Sequence, residues 1–84
     1  MKVGEYKYIK FVVNEEASGE EFTVWDCINK KHGDTLGHVG YFKEWKQYCY
    51  FPWQPIVLSI DCMEDIIDFI KILQLKEAKK WWKP

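Results

Sequence analysis

The spacing of apolar residues changes once along this chain, and that change limits the fold more than any other feature. Between residues 6 and 51, apolar and polar residues alternate within short segments separated by turns. Such alternation is typical of strands with one buried face. After residue 61, apolar residues such as Ile66, Ile70 and Leu73 recur every third or fourth position, which is the spacing of one helix face. The pattern therefore predicts that all the strands precede a single helix.

Turn residues divide the alternating part into four predicted strands. The polar segments 14–20 and 29–34 each contain a glycine, and residues 43–46 turn the chain again. The predicted strands cover residues 6–13, 22–29, 35–42 and 47–51, and the pattern leaves open a short fifth strand over residues 56–59. Gly37 and Gly40 lie inside the third strand, which indicates a bulge or the close approach of another backbone or ring.

An amphipathic helix is predicted over residues 62–76, with a basic tail over residues 77–84. Asp61 is predicted to cap the helix and Glu64 to complete a capping box. The predicted buried stripe consists of Met63, Ile66, Ile67, Ile70 and Leu73, with Phe69 on its flank. Consecutive strands pair most simply as antiparallel neighbours. The expected fold is therefore α+β: one domain over residues 1–84, with an antiparallel meander of four to five strands and the C-terminal helix packed on one face.

Composition excludes several classes of protein. The formal net charge is −1 and the 12 basic residues are all lysine, so the chain has no overall attraction to nucleic acid or to an anionic membrane. No stretch is long and apolar enough for a signal peptide or a transmembrane helix. The three cysteines, Cys27, Cys49 and Cys62, are odd in number and have no close spacing. They predict free thiols in the cytoplasm, and neither a zinc site nor another cofactor.

Three segments between residues 36 and 70 carry a family resemblance. They are Leu36-Gly37-His38-Val39-Gly40-Tyr41, then Trp45-Lys46-Gln47-Tyr48-Cys49-Tyr50-Phe51-Pro52, then Cys62-Met63-Glu64-Asp65-Ile66 with Phe69-Ile70. Together they resemble a family of small uncharacterised bacterial and phage-associated proteins, whose pattern is roughly Leu-Gly-x-Ile-x-Trp, Trp-Arg-Gln-Tyr-x-Phe-x-Pro and Cys-Leu-x-Asp-Ile-x-x-Phe-Leu. The chain departs from it at Tyr41, where Trp is usual, and at Lys46, where Arg is usual. The resemblance implies a phage or mobile-element setting and carries over no catalytic residue.

Basic and aromatic residues are interleaved around the fourth predicted strand and recur in the tail. A sheet surface of this kind stacks unpaired bases and neutralises phosphate. The candidate nucleic-acid-binding residues are Lys43, Trp45, Lys46, Tyr48, Tyr50, Lys79, Lys80, Trp81 and Trp82. The acidic segment of residues 15–26 and the absence of arginine weigh against this interpretation. Nucleic-acid binding is therefore the alternative function and not the first.

Association with protein is the first functional interpretation. If Phe11 and Trp25 face the helix, the opposite sheet face carries apolar residues that something else must cover, and a homodimer is the commonest solution. These residues are Tyr8, Val12, Val24 and Ile28. The sequence contains no complete catalytic motif, so we expect a small, non-enzymatic accessory or adaptor protein that acts by binding. A thiol enzyme using Cys62, near the positive end of the helix, is the remaining alternative.

Overall fold

A computed structural model describes residues 4–19, 21–53 and 56–81, with side chains as far as Glu77. The strands are β1 (Ile9–Val13), β2 (Trp25–Asn29), β3 (Thr35–Phe42) and β4 (Gln47–Pro52), and the helix is α1 (Ile60–Trp81). The strands pair antiparallel in chain order, β1-β2-β3-β4. This arrangement confirms the predicted α+β fold, a meander sheet followed by one C-terminal helix.

Two strands begin later than the alternation predicts, because the residues before them bond elsewhere. The segment before β1 folds back on the edge of that strand, where the Phe11 amide donates to the Gly4 carbonyl at 2.8 Å. The segment before β2 belongs to a loop, in which the Val24 amide donates to the Ser18 hydroxyl oxygen at 2.8 Å. Residues 56–59, where the pattern leaves a fifth strand open, form no strand. The described sheet therefore has four strands.

Helix α1 is capped by Ser59. The Ser59 hydroxyl oxygen accepts a hydrogen bond from the Cys62 amide at 3.2 Å, which is the bond an N-cap residue makes. The prediction of Asp61 as the cap was wrong, because Asp61 lies inside the first turn of the helix. Its negative charge is favourable there, next to the positive end of the helix dipole. The helix also continues to Trp81, beyond the predicted range of 62–76.

Phe69 is the central residue of the buried helix face. Its ring is fully buried, stacks on Phe11 with ring centroids 4.1 Å apart, and lies edge-on to Trp25 at 5.3 Å. The apolar spacing predicts this residue only on the flank of the stripe. Met63 and Ile67, predicted to be buried, are instead 44% and 52% exposed. Centring the helix on Phe69 turns both of them away from the sheet.

The core lies between α1 and one face of the sheet, which we call the covered face. Its buried residues are Ile9, Phe11, Cys27, Val39, Tyr48, Ile66, Phe69 and Leu73. The Tyr50 hydroxyl is also buried on this side, beside the Cys27 thiol, and makes no hydrogen bond of good geometry with any described residue.

Both edges of the sheet are partly occupied. On β1, the Ile9 carbonyl accepts a hydrogen bond from the Tyr6 amide at 2.9 Å. On β4, the Tyr48 amide donates to the side-chain oxygen of Gln74 in α1, and Pro52 has no amide hydrogen to donate. Occupied edges resist pairing with a strand of another chain. Surfaces available for contact are therefore to be sought on the faces of the sheet and the helix.

Candidate functional site: the open face of the sheet

The sheet face that points away from α1 is not covered by any described helix or strand, and we call it the open face. Trp25 contacts Phe69 of the helix, so its neighbour Asp26 points to the other side. Asp26 pairs with His38, which pairs in turn with Phe51. By the same alternation, the open face consists of Lys10, Val12, Asp26, Ile28, His38, Gly40, Phe42, Gln47, Cys49 and Phe51.

Apolar residues occupy this face as the strand alternation predicts. Val12 is 43% exposed and Ile28 is half-buried. Val24, in the loop before β2, packs on the same side, with its Cγ2 atom 3.7 Å from the position that a Cβ on Gly40 would take. Tyr8 is 48% exposed just before β1 begins. The helix leaves this apolar surface uncovered.

Four aromatic rings form a continuous row across the β3–β4 half of the open face, and we call them the aromatic row. His38 stacks on Phe51 with ring centroids 4.9 Å apart. Phe51 meets the ring of Phe42 at 6.0 Å, and Phe42 meets Trp45 edge-on at 4.9 Å. Trp45 ends the row and is 67% exposed. The sequence alone indicates only Trp45 of these four residues as a binding residue. The strand register places His38, Phe42 and Phe51 on the same face as Val12.

A groove of about 590 Å³ runs beside the aromatic row. Gly40 lies in its lining and contributes no side chain, and the loop between β1 and β2 lines the opposite side. Two hydrogen bonds from Asn14 fix this loop: its Oδ1 accepts from the Ala17 amide at 3.1 Å, and its Nδ2 donates to Asp26 at 3.3 Å. The loop side of the groove is therefore anchored to β2 through Asp26.

The turn between β3 and β4 places three of the predicted binding residues together in solvent. Lys43, Trp45 and Lys46 are all exposed. The Trp45 amide donates to the Phe42 carbonyl at 3.1 Å, and Lys46 adopts a left-handed conformation with φ of 53°. This turn is continuous with the aromatic row, because Trp45 belongs to both.

The prediction that Tyr48 and Tyr50 present their rings for binding was wrong. Both point to the covered face: Tyr48 is only 9% exposed, and the Tyr50 hydroxyl is buried beside Cys27. Strand alternation separates them from Trp45 and the open face. Lys79, Lys80 and Trp81 belong to α1 by backbone, but their side chains lie outside the described part of the chain, as does the whole of Trp82.

The three cysteines are free thiols in different surroundings. Burial raises the pKa of the Cys27 thiol to about 12, so it is protonated at neutral pH and no solvent reaches it. Cys49 is half-buried on the open face, and Cys62 is half-buried in the first turn of α1. Among the described residues, no group of three or more His, Cys, Asp and Glu side chains is arranged to hold a metal ion.

A second concave surface lies where the first turns of α1 meet the segment before β1, and it is acidic. The Tyr6 hydroxyl donates a hydrogen bond to Asp68 at 2.7 Å, and burial together with that carboxylate raises the pKa of Tyr6 above its usual value. Burial, followed by the negative charges of Asp61, Asp68 and Glu64, raises the pKa of Asp65. Like charges are therefore crowded along this side of the helix.

Relief of this crowding gives a stability prediction. Asp65→Asn is expected to raise the free energy of unfolding at pH 7 by roughly 0.3 kcal/mol, the usual size of a like-charge helix pair. Because folding raises the pKa of Asp65, the loss of stability is absent below the ordinary value of 3.8, grows as pH rises from there, and is complete above the raised value. Urea unfolding at pH 7 measures the gain in the free energy of unfolding, and urea unfolding at pH 3 tests whether that gain disappears. Asp34→Asn, in the β2–β3 turn, is the matched control, and an equal gain there at pH 7 would contradict the explanation.

The fold and this face define a two-layer α+β protein with one sheet face that no described element covers. Comparisons with protein-family models, with curated proteins and with solved structures find no match for the chain. No described helix combines the length and the apolar character that a membrane-crossing helix needs. Any functional assignment therefore rests on the chemistry of the surfaces themselves.

Proposed function

We propose that this protein is a small, non-enzymatic adaptor that binds another protein through the open face. The observation that carries the proposal is the aromatic row, which ends in the exposed Trp45 on a face without any described covering element. Aromatic side chains surrounded by a polar rim are the usual energetic centres of protein interfaces. Lys10 and Gln47 supply such a rim here, since both are exposed at the border of the same face.

A protein partner fits this face better than a nucleic acid does. The charges near the groove have both signs, with Lys43 and Glu21 among its lining residues. The rings of His38 and Phe51 stack on each other, so each has one ring face already occupied. Single-stranded nucleic acid needs free ring faces and a cationic track for its backbone. An apolar and aromatic surface of mixed charge suits the side chains of a protein.

Nucleic-acid binding remains the second candidate, because one observation favours it. Lys43, Trp45 and Lys46 are exposed together on a single turn, where a base can stack on the indole while the two lysines meet phosphate. Without Tyr48 and Tyr50, however, the described part of this site offers one exposed ring. Photo-crosslinking from the open face, described below, distinguishes this function from protein binding.

The setting of the proposed adaptor follows from the sequence. Three cysteines with no close spacing favour the cytoplasm, and the family resemblance of residues 36–70 favours a phage or mobile element. The cytoplasmic location and the phage setting are part of the proposal, and the choice of the open face as the binding surface does not depend on them.

Photo-crosslinking inside cells that carry the gene tests the proposal. A photoreactive amino acid replaces Val12, on the open face, and in a second variant replaces Val13, its neighbour on the other side of β1. The two valines make a matched pair, because they are 43% and 41% exposed. We expect a discrete protein adduct from position 12 that is absent from position 13 and that is weakened by Trp45→Ala, since the indole belongs to the same surface.

The remaining crosslinking results would each contradict the proposal. A nuclease-sensitive adduct from position 12 would replace the protein partner with a nucleic acid. An adduct of twice the mass of this chain would place a second copy on the open face. Equal adducts from the two positions, or none from position 12, would remove the open face as the binding surface. Circular dichroism of each variant confirms that the substitution leaves the fold intact.

A further inference from the structure

A second uncovered apolar surface lies on α1, on a different part of the molecule from the open face. Ile60, Met63 and Ile67 are 70%, 44% and 52% exposed. Their spacing of three and four residues places them on one helix face, and we call them the exposed stripe. The stripe lies on a different side of the helix from the buried residues around Phe69, and its side chains are not part of the core. Aligned exposed apolar residues on a helix are typical of a surface that packs against another helix.

Charge is separated along the same helix. Its first half carries the acids Asp61, Glu64, Asp65 and Asp68, and its second half carries Lys71, Lys76 and, by sequence, Lys79 and Lys80 together with Glu77. Within the described part of the chain, no ion pair joins the four acids to a lysine, since the described ion pair joins Lys30 to Glu5. Burial raises the pKa of Asp65, and the negative charges of Asp61, Asp68 and Glu64 raise it further. Lys7 and Lys71 line the surface beside these acids without forming a described ion pair with them, so the acidic half of the helix can still pair with lysines of another chain.

We propose that α1 pairs with α1 of a second copy of this chain, antiparallel, through the exposed stripe. A two-fold axis beside Ile67 brings that residue against its own counterpart and places the acidic half of each helix along the lysine-bearing half of the other. A parallel pair would align acid with acid and lysine with lysine, which is unfavourable. Charge complementarity thus selects both the occupant and the direction.

Glu64 and Lys71 are the residues that make this arrangement specific. They are one heptad apart, so they project from the same side of the helix next to the stripe, and both are exposed. About a two-fold axis beside Ile67, which lies between them in sequence, Glu64 of each copy meets Lys71 of the other. The two contacts are equivalent, as symmetry requires. Pairing of this kind leaves both open faces free, so the dimer would present two binding surfaces for the proposed partner.

Sedimentation equilibrium of the full chain tests the pairing. The wild-type protein is expected to dimerise at low salt and to dissociate as salt is added, because exposed charges are screened. Glu64→Lys and Lys71→Glu are each expected to raise the dissociation constant by at least about tenfold, since each places like charges across both contacts. Ile67→Lys is expected to give a monomer as well. All three positions are exposed in the single chain, and circular dichroism checks that the variants fold.

Mixing the two charge variants tests whether residues 64 and 71 lie at the contact between the two helices. The direction is tested by each charge variant alone, because a parallel pair has like charges at both positions before and after either substitution, so its affinity would change little. In an antiparallel pair, a Glu64→Lys chain and a Lys71→Glu chain meet with opposite charges at both contacts. An equimolar mixture is therefore expected to form a heterodimer at least as tight as the wild-type dimer, and labelling one variant with a fluorophore identifies that species. A monomeric wild-type protein at low salt, charge variants that dimerise normally, or a mixture that stays monomeric would each overturn the proposal. These results do not depend on crosslinks from Val12, so the two proposals fail separately.

Discussion

Gly37→Ala is expected to lower the free energy of unfolding by about 3 kcal/mol, the upper end of the usual penalty for overpacking. A Cβ atom at this position would lie 2.5 Å from the Phe51 carbonyl oxygen and 2.8 Å from the Tyr50 hydroxyl. The first contact is with backbone, so a side-chain rotation cannot relieve it. Strand β4 would have to move away from β3. Because Phe51 belongs to the aromatic row, that movement would also disturb the open face.

Gly40→Ala is the matched control for this substitution. Gly40 lies in the same strand, but its added Cβ would meet Val24, Phe51 and His38 at 3.7, 3.8 and 3.9 Å, which are ordinary contact distances. We expect a change of less than about 1 kcal/mol, because alanine fits and has less freedom than glycine in the unfolded chain. Urea unfolding of both variants measures the difference. Equal losses would show that the close approach of β4 is not what makes the substitution at Gly37 destabilising.

These two glycines show where sequence reasoning succeeds and where it stops. Glycine inside a strand indicates a bulge or a close approach. The structure has both beside Gly37: the β2–β3 register shifts between Cys27 and Ile28, and the Phe51 carbonyl lies close. The sequence gives the same indication for Gly40. It cannot separate the two glycines, because the distance to a neighbouring strand depends on tertiary packing. Only the structure separates an obligatory glycine from a replaceable one.

The candidate site was predicted less well than the fold, for a related reason. Alternation established that Val12 and Ile28 share a face once Phe11 and Trp25 are assigned to the helix. It did not determine which face of β4 is covered, since that depends on the register against β3. Tyr48 and Tyr50 were therefore assigned to binding, while His38 and Phe51 were overlooked.

Helical spacing had the same limitation on α1. It defined an apolar sector wide enough to include both Met63 and Phe69, but the direction in which the helix rests on the sheet depends on the rings it meets. The aromatic contacts of Phe69 decide that direction. Consequently the exposed stripe could be recognised only after the core was known.

Phe69→Ala is the second substitution with a large expected effect, a loss of about 3–5 kcal/mol in the free energy of unfolding. The ring is fully buried between Phe11 and Trp25, and its Cε1 atom lies 3.1 Å from the position that a Cβ on Gly4 would take. Removing it opens a cavity between helix and sheet and takes away the ring on which Phe11 stacks and which Trp25 meets edge-on. Leu75→Ala, at a position that is 64% exposed on the same helix, is expected to change stability by less than about 0.5 kcal/mol.

Urea titration followed by far-ultraviolet circular dichroism measures both variants. A domain of this size has a total stability of roughly 5–15 kcal/mol, so Phe69→Ala is expected to leave a large unfolded fraction at moderate temperature. Its unfolding should remain a single transition, because the other core residues of the sheet and of the helix, Ile66 and Leu73 among them, still join the two layers. A loss below about 1 kcal/mol would mean that α1 is held to the sheet chiefly elsewhere. A first transition that melts the helix while the sheet persists would show that the two layers fold independently, which the shared aromatic core argues against.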